Sequence, residues 1–246
     1  MKIRLLNLLF FFFVSAGLAN AQTVDEVVVK HVNAMGGADK WAKAKSIRMT
    51  GSMELGPNMK APFTITIKDR KKMRFEMEFQ GMKMIQAFDG DSGWSVVPFS
   101  GKTDPERMSE EEVRGMKEQA DFTGDLYDYK VKESVVEVMG KEDMEGTETI
   151  KLKVTKKNGD VKYIYLDGQS YITLKETSKQ KFDDKEIETV NLLSDFRSVD
   201  GLMFPFTMEG RSDEESGMGQ SMIMEKIEIN PTIDNSVFMM PSSGTK

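Results

Sequence analysis

The chain has no cysteine among its 246 residues and a single histidine, His31. Without cysteine there can be no disulfide, no thiol nucleophile, no thiolate metal site and no lipid anchor on a thiol. One histidine excludes a zinc centre built from several imidazoles. A Ser-His-Asp triad would have to use His31, and no Gly-x-Ser-x-Gly elbow exists to partner it. Phosphate loops and dinucleotide fingerprints are missing too; Gly217-Met218-Gly219 is a bare fragment in a polar loop. Asp89-Gly90-Asp91 lacks the glutamate that completes a calcium loop and reads as a turn. Carboxylates are plentiful, but Asp183-Asp184 and Glu110-Glu111-Glu112 read as solvated faces rather than an acid/base pair. His31 falls mid-helix beside Val28 and Val32 and reads as structural. The expectation is no enzyme, no metal and no cofactor.

Only one long apolar run occurs. Lys2 and Arg4 precede an apolar core at residues 5–19, and Ala19-Asn20-Ala21 has the small-x-small pattern of a cleavage site. The run is shorter than the ~20 residues a membrane span needs. Residues 1–21 are therefore expected to be an export signal and residues 22–246 the soluble mature chain. Losing Lys2 and Arg4 reduces the 34 basic side chains to 32, against 40 acidic ones, a net charge of −8. That balance repels nucleic acid and anionic headgroups. A lipid would have to be held in an apolar pocket, not on a basic surface.

What is present is periodicity. Thr23 and Glu26 form a capping box ahead of Val24, Val27, Val28, Val32 and Met35 at helical spacing. Gly36-Gly37 ends that helix, and Asp39 reads as the cap of a short second one carrying Trp41, Ala42 and Ala44. From Ser46 the period becomes two. Ile47, Met49, Gly51, Met53 and Leu55 alternate with polar residues, then Phe63, Ile65 and Ile67, then Met73, Phe75, Met77 and Phe79. Arg74, Glu76 and Glu78 take the opposite parity, which puts Arg74 towards solvent. Further runs end at Phe88-Asp89-Gly90 and carry Trp94, Val96 and Pro98-Phe99.

Residues 100–104 read as a loop, and Ser109 with Glu112 starts a helix whose inner face is Val113, Met116 and Ala120. A β meander follows, with two-residue turns at Asn158-Gly159, Asp167-Gly168 and Asp200-Gly201 and a bulge near Lys226. The pattern predicts one mainly β domain with some α. It is a half-open antiparallel barrel of about ten strands, with an N-terminal helix and a lid helix inserted after the fifth strand.

Arg70, Arg74, Asp89, Gly90, Trp94 and Pro98 carry a resemblance. The region 70–101 resembles the periplasmic lipoprotein-carrier superfamily of the LolA/LolB type. There a strand opening on R-P-x-x-x-R is followed by a D-G-x-x-x-W-x-x-x-P hairpin. Lys71 departs from the pattern, where the family has proline. The resemblance implies a half-open barrel lidded by helices that binds acyl chains of lipoproteins or other lipids and catalyses nothing. It implies a guest passed from an inner-membrane donor towards an outer-membrane acceptor, by a periplasmic protein acting as a monomer. It also implies that Arg70 latches the lid through backbone carbonyls, since an arginine fork can clamp several at once. Read from its own surroundings among Lys68, Lys71 and Lys72, Arg70 is equally a surface arginine.

Methionine is the overused residue, 20 in the chain. Its unbranched thioether suits either an irregular core or a lining that repacks around a guest. The expected lipid-binding residues are Met49, Met53, Ile65, Ile67, Phe75, Met77, Phe79 and Trp94 on strands, with Val113 and Met116 on the lid. A chain of ~15 carbons offers roughly 12 kcal/mol gross at ~0.8 kcal/mol per methylene, before ordering costs. The competing reading from another class is a sensor or protein-interaction module on the same scaffold, carrying no lipid.

Overall fold

The computed structural model describes residues 22–56, 59–182, 185–212 and 220–241. The expected export signal, residues 1–21, lies outside the described residues, as do Asp183-Asp184 and Gly217-Met218-Gly219.

Helix α1 spans Val24–Ala34 and starts on the reciprocal cap. The Thr23 hydroxyl accepts from the Glu26 amide at 3.3 Å and the Glu26 carboxylate from the Thr23 amide at 2.9 Å. Helix α2, Ala38–Lys43, is capped by Gly37 and not by Asp39, which sits in its first turn. Gly36 takes φ 114°, and a Cβ there would collide with the Gly201 carbonyl oxygen, so only glycine fits between the helices and the sheet. The Trp41 indole donates back to the Met35 carbonyl at 3.1 Å, fixing the α1–α2 corner.

Six strands follow: β1 Ser46–Gly56, β2 Met59–Lys68, β3 Lys72–Phe79, β4 Met82–Phe88, β5 Gly93–Val97 and β6 Lys102–Arg107. Helix α3, Glu110–Gln119, starts on the Ser109–Glu112 box. Residues 121–134 form consecutive turns before β7 Val135–Met144, β8 Thr147–Thr155 and β9 Val161–Asp167. Then come β10 Thr173–Phe182, β11 Lys185–Val199, β12 Leu202–Ser212 and β13 Gln220–Ile229, and a 3₁₀ turn at Asn235–Phe238. All strands belong to one antiparallel sheet in chain order, except that β1 pairs with β13; β6 and β7 are the free edges.

The half-open barrel is therefore observed, with thirteen strands where about ten are expected. The lid helix follows the sixth strand, not the fifth. The strand at Lys102–Arg107 was hidden because it contains Pro105 and almost no apolar residue, as suits a sheet edge. The second half of β7 is charged for the same reason. Asp200-Gly201 is a two-residue turn with φ 51° and 78°. Asp167-Gly168 instead opens a longer loop, where the Asp167 carboxylate accepts from the Gln169 and Ser170 amides. The bulge near Lys226 is real. Thr50 faces Lys226 while Gly51 faces Met224, leaving Glu225 unpaired.

Two cores form on the concave side. One lies over β1–β4 and β12–β13 under α2 and α3, with Ile47, Phe63, Ile67, Phe88 and Phe204 buried. The other joins Val27 and Val28 of α1 to Leu152, Val154, Ile164 and Leu166 of β8 and β9.

Candidate functional site

Strand register decides which side chains share the concave face, because directly opposed residues point the same way. One row runs Ile47–Ile67–Met73–Phe88–Gly93, the next Met49–Ile65–Phe75–Gln86–Ser95, the third Gly51–Phe63–Met77–Met84. Met53 continues the face opposite Met222, which in turn opposes Met208. Helix α3 lies over this face near β5; a Cβ on Gly93 would touch Met108 and Val113. Ile65, Ile67, Phe75, Met77 and Met116 are buried, and Met49, Met53, Phe79 and Val113 are half-buried against them. The structure thus brings these nine of the ten expected lining residues into one cluster.

Trp94 is the exception and corrects the expected parity. It opposes Ala87, which opposes Arg74, which opposes Thr66, so it belongs to the convex face. There it is 2 % exposed, its indole donating at 2.9 Å to the carbonyl of Phe238 in the C-terminal turn. Arg74 does not face open solvent either. Its guanidinium lies 5.4 Å from the Trp94 ring and donates to the Val237 carbonyl at 2.8 Å and to Glu76 at 2.9 Å. Lys68 donates to the Ile233 carbonyl at 2.8 Å. These residues hold the C-terminal strap across the back of the sheet. Its approach was invisible from strand periodicity, because a strap from the distant end of the chain covers parity that reads as polar.

Arg70 has φ 53° just after β2, and its guanidinium lies 5.8 Å from the Tyr127 ring. Among the described residues it donates to no lid carbonyl. Its contact is with the ring of Tyr127, in the turns that follow α3.

A cavity of about 140 Å³ opens elsewhere on the concave side, between α1, α2, residues 122–127 and strands β9–β12. Trp41, Phe122, Leu126 and Phe204 supply apolar wall, while His31 and Glu176 supply polar wall. None of the ten expected lining residues borders it. The rings are in mutual contact: Trp41 meets Phe204 edge-on at 5.3 Å and Phe122 at 6.2 Å. Burial pushes the His31 imidazole down from its ordinary value, against the opposing influence of the Tyr171 carbonyl and Glu176. Its Nδ1 donates to that carbonyl at 2.8 Å. His31 is therefore a neutral, tied donor.

Beside the cavity the charged groups are paired. Lys162 Nζ lies 2.6 Å from Asp125 and 3.3 Å from Glu176, and Lys156 Nζ lies 2.8 Å from Glu118 and 3.5 Å from Asp125. Burial works to raise the Asp125 carboxyl, but the attraction of Lys162 and Lys156 outweighs it, so the net direction is down. Burial likewise disfavours the charged Lys162, and Glu176 and Asp125 more than reverse this, holding it above its ordinary value. Among the described residues every buried side-chain nitrogen and oxygen has a hydrogen-bond partner, and no cluster of three or more His, Asp and Glu is placed to hold a metal ion. Sequence reasoning missed this lysine–carboxylate cluster, since its members are scattered over residues 118–176.

Neither a protein-family model nor a curated protein sequence matches the chain. Solved structures do. A LolA superfamily protein from Nitrosomonas europaea superposes with TM-score 0.60 at 12 % identity, covering 89 % of this chain and 98 % of its own. A DUF1329 family protein from Desulfovibrio piger gives 0.59 at 14 % identity, over the same shares of 89 % and 98 %. A putative outer membrane lipoprotein-sorting protein domain from Vibrio parahaemolyticus gives 0.55 at 13 % identity, over 88 % and 97 %. The fold is LolA/LolB-like.

Proposed function

We propose that the chain is an exported, monomeric carrier that binds acyl chains of lipoproteins or other lipids and passes them towards an outer-membrane acceptor. On this reading residues 1–21 are removed, residues 22–246 form the lipid-binding domain, and no chemistry is performed. The observation that carries it is the continuous apolar concave face, rich in methionine and incompletely filled where it meets the helices. The LolA/LolB-like fold supports the same reading.

On this reading the 140 Å³ cavity takes the first part of the guest. The rest of the guest must displace side chains that now fill the interior. Met49, Met53, Phe75, Met77, Phe79 and Met116 are positioned to repack around it, with Ile65, Ile67 and Val113 as firmer wall. Trp94 leaves this list because it faces the strap. Arg70 retains a lid-holding role through Tyr127.

Native mass spectrometry of protein purified directly from the exporting cell, beside a delipidated sample, tests the proposal. Copurifying acyl lipid is expected, and the delipidated protein should take up a fluorescent fatty acid. Met77→Glu, placing a charge on the concave face, should abolish that uptake while the protein stays folded. A wild-type protein that carries no lipid and ignores fatty acid would overturn the carrier reading in favour of a sensor or interaction module.

A further inference from the structure

We propose that residues 121–127 are the gate of the interior cavity, and that Lys156 and Lys162 hold it shut by gripping Glu118 and Asp125. This deepens the carrier reading and rests on it for the identity of the guest.

Three observations converge on this segment. First, it is the plug. Phe122 sits against Trp41, Leu126 is 2 % exposed, and with Tyr127 they form one whole wall of the cavity. Swinging the segment away would widen the cavity's mouth to solvent without moving a strand.

Second, it is tied to itself. Lys132 pairs with Asp121 at 2.6 Å and donates to the Gly124 carbonyl at 2.6 Å and to Thr123 at 3.2 Å. Asp121 also accepts from the Thr123 hydroxyl at 2.6 Å. A turn-built loop closed on itself in this way moves as a unit.

Third, beyond the packing of Phe122, Leu126 and Tyr127 against the two cores, its attachments to the rest of the molecule are few. Among the described residues no backbone hydrogen bond joins residues 121–133 to the sheet; those present run within the segment or to Glu118. Tyr127 reaches the Ala38 carbonyl at 3.4 Å, and its ring faces Arg70. Tyr129, half-buried against the α1 core, and Lys130 meet Asp25 of α1 at 2.6 and 2.8 Å, and Lys157 pairs with Glu133, but Asp25, Lys130, Lys157 and Glu133 are largely exposed. Exposed pairs hold little. The grip of Lys156 and Lys162 is different. Lys156, Lys162 and Asp125 are only 18–23 % exposed, and Glu118 is 34 % exposed. Glu176, on β10, completes the grip by neutralising the remainder of Lys162. The lysines come from β9 and the turn before it, whereas Glu118 and Asp125 come from α3 and the loop. The contact therefore spans the boundary that opening must break. Local opening free energy is set by such boundary contacts more than by the stability of the sheet.

Hydrogen–deuterium exchange without any guest, followed by titration with a dansylated undecanoic acid, tests the gate. Asp125→Ala removes the loop's charge and leaves the Lys162–Glu176 pair in place. Exchange of the amides at 122–127 should quicken at least about tenfold, while β1–β3 stay as slow as in the wild type. Glu118→Ala, at the end of α3 and outside the loop, should give a smaller rise in the same amides. Lys162→Arg should keep them slow, since the charge remains. Probe association should speed up in step with exchange. Selective quickening with no probe uptake by any variant leaves the gate standing and removes the carrier reading. Unchanged exchange at 122–127 in both alanine variants overturns the gate even if the probe binds, and so does quickening spread evenly over β1–β3.

Discussion

Replacing Arg74 with methionine keeps the length of the side chain and deletes its charge, and the structure says what that charge holds. Arg74 is 17 % exposed, donates to the Val237 carbonyl at 2.8 Å and stacks near Trp94. A charge-assisted hydrogen bond contributes about 1.5–3 kcal/mol, and a half-buried cation–π contact about 1 kcal/mol. Glu76 retains Lys83 at 2.6 Å, so losing Arg74 does not strand its carboxylate. The expected destabilisation is about 2–4 kcal/mol, read as a lower urea midpoint with unchanged slope. Trp94→Phe should cost about 1–3 kcal/mol, because the Phe238 carbonyl loses its buried donor at 2.9 Å. Both residues hold the same strap, so the double variant should lose less than the two separate losses combined, by about 1 kcal/mol. Limited proteolysis should release the C-terminal peptide from either variant earlier than from the wild type. An Arg74→Met protein within about 0.5 kcal/mol of wild type, with its C-terminus equally protected, would mean that Arg74 is solvated and the strap is held by Phe238 packing alone.

Gly51→Ala should destabilise by more than about 3 kcal/mol, since a Cβ there meets the Ile223 backbone at the bulge. Gly115→Ala, inside α3 with open space around it, should instead stabilise by about 1 kcal/mol, and thermal melts of the two distinguish backbone contact from helix propensity. His31 binds its proton less readily folded than unfolded, so its contribution is complete above about pH 6.5 and is lost as pH falls below that value. Urea titrations from pH 7.5 to 5 should show the decline, and His31→Gln should flatten it. Arg70→Leu removes one exposed-type cation–π contact to Tyr127, worth about 0.5–1 kcal/mol. Fatty-acid affinity should therefore rise only about two- to fivefold, and an unchanged affinity would deny Arg70 any part in holding the lid.

Local chemistry already determined much of this molecule. The reciprocal caps at Thr23–Glu26 and Ser109–Glu112 start helices where they stand because they satisfy orphan amides within four residues. The alternation of Met49, Ile65, Phe75 and Met77 likewise selects one buried face, whatever the neighbours, because a strand has only two faces. Tertiary structure alone decided the rest. Parity says which residues share a face, but not which face is concave or what comes back to cover the other. Trp94 and Arg74 were therefore misplaced until the C-terminal strap came into view. The edge strand at Lys102–Arg107 has no apolar signal because only its neighbour holds it. The cavity and its lysine–carboxylate grip draw on α1, α2, the 121–127 loop and strands up to β12. Their separation along the chain exceeds any local period, so their meeting depends on how far thirteen strands curl before β1 finds β13.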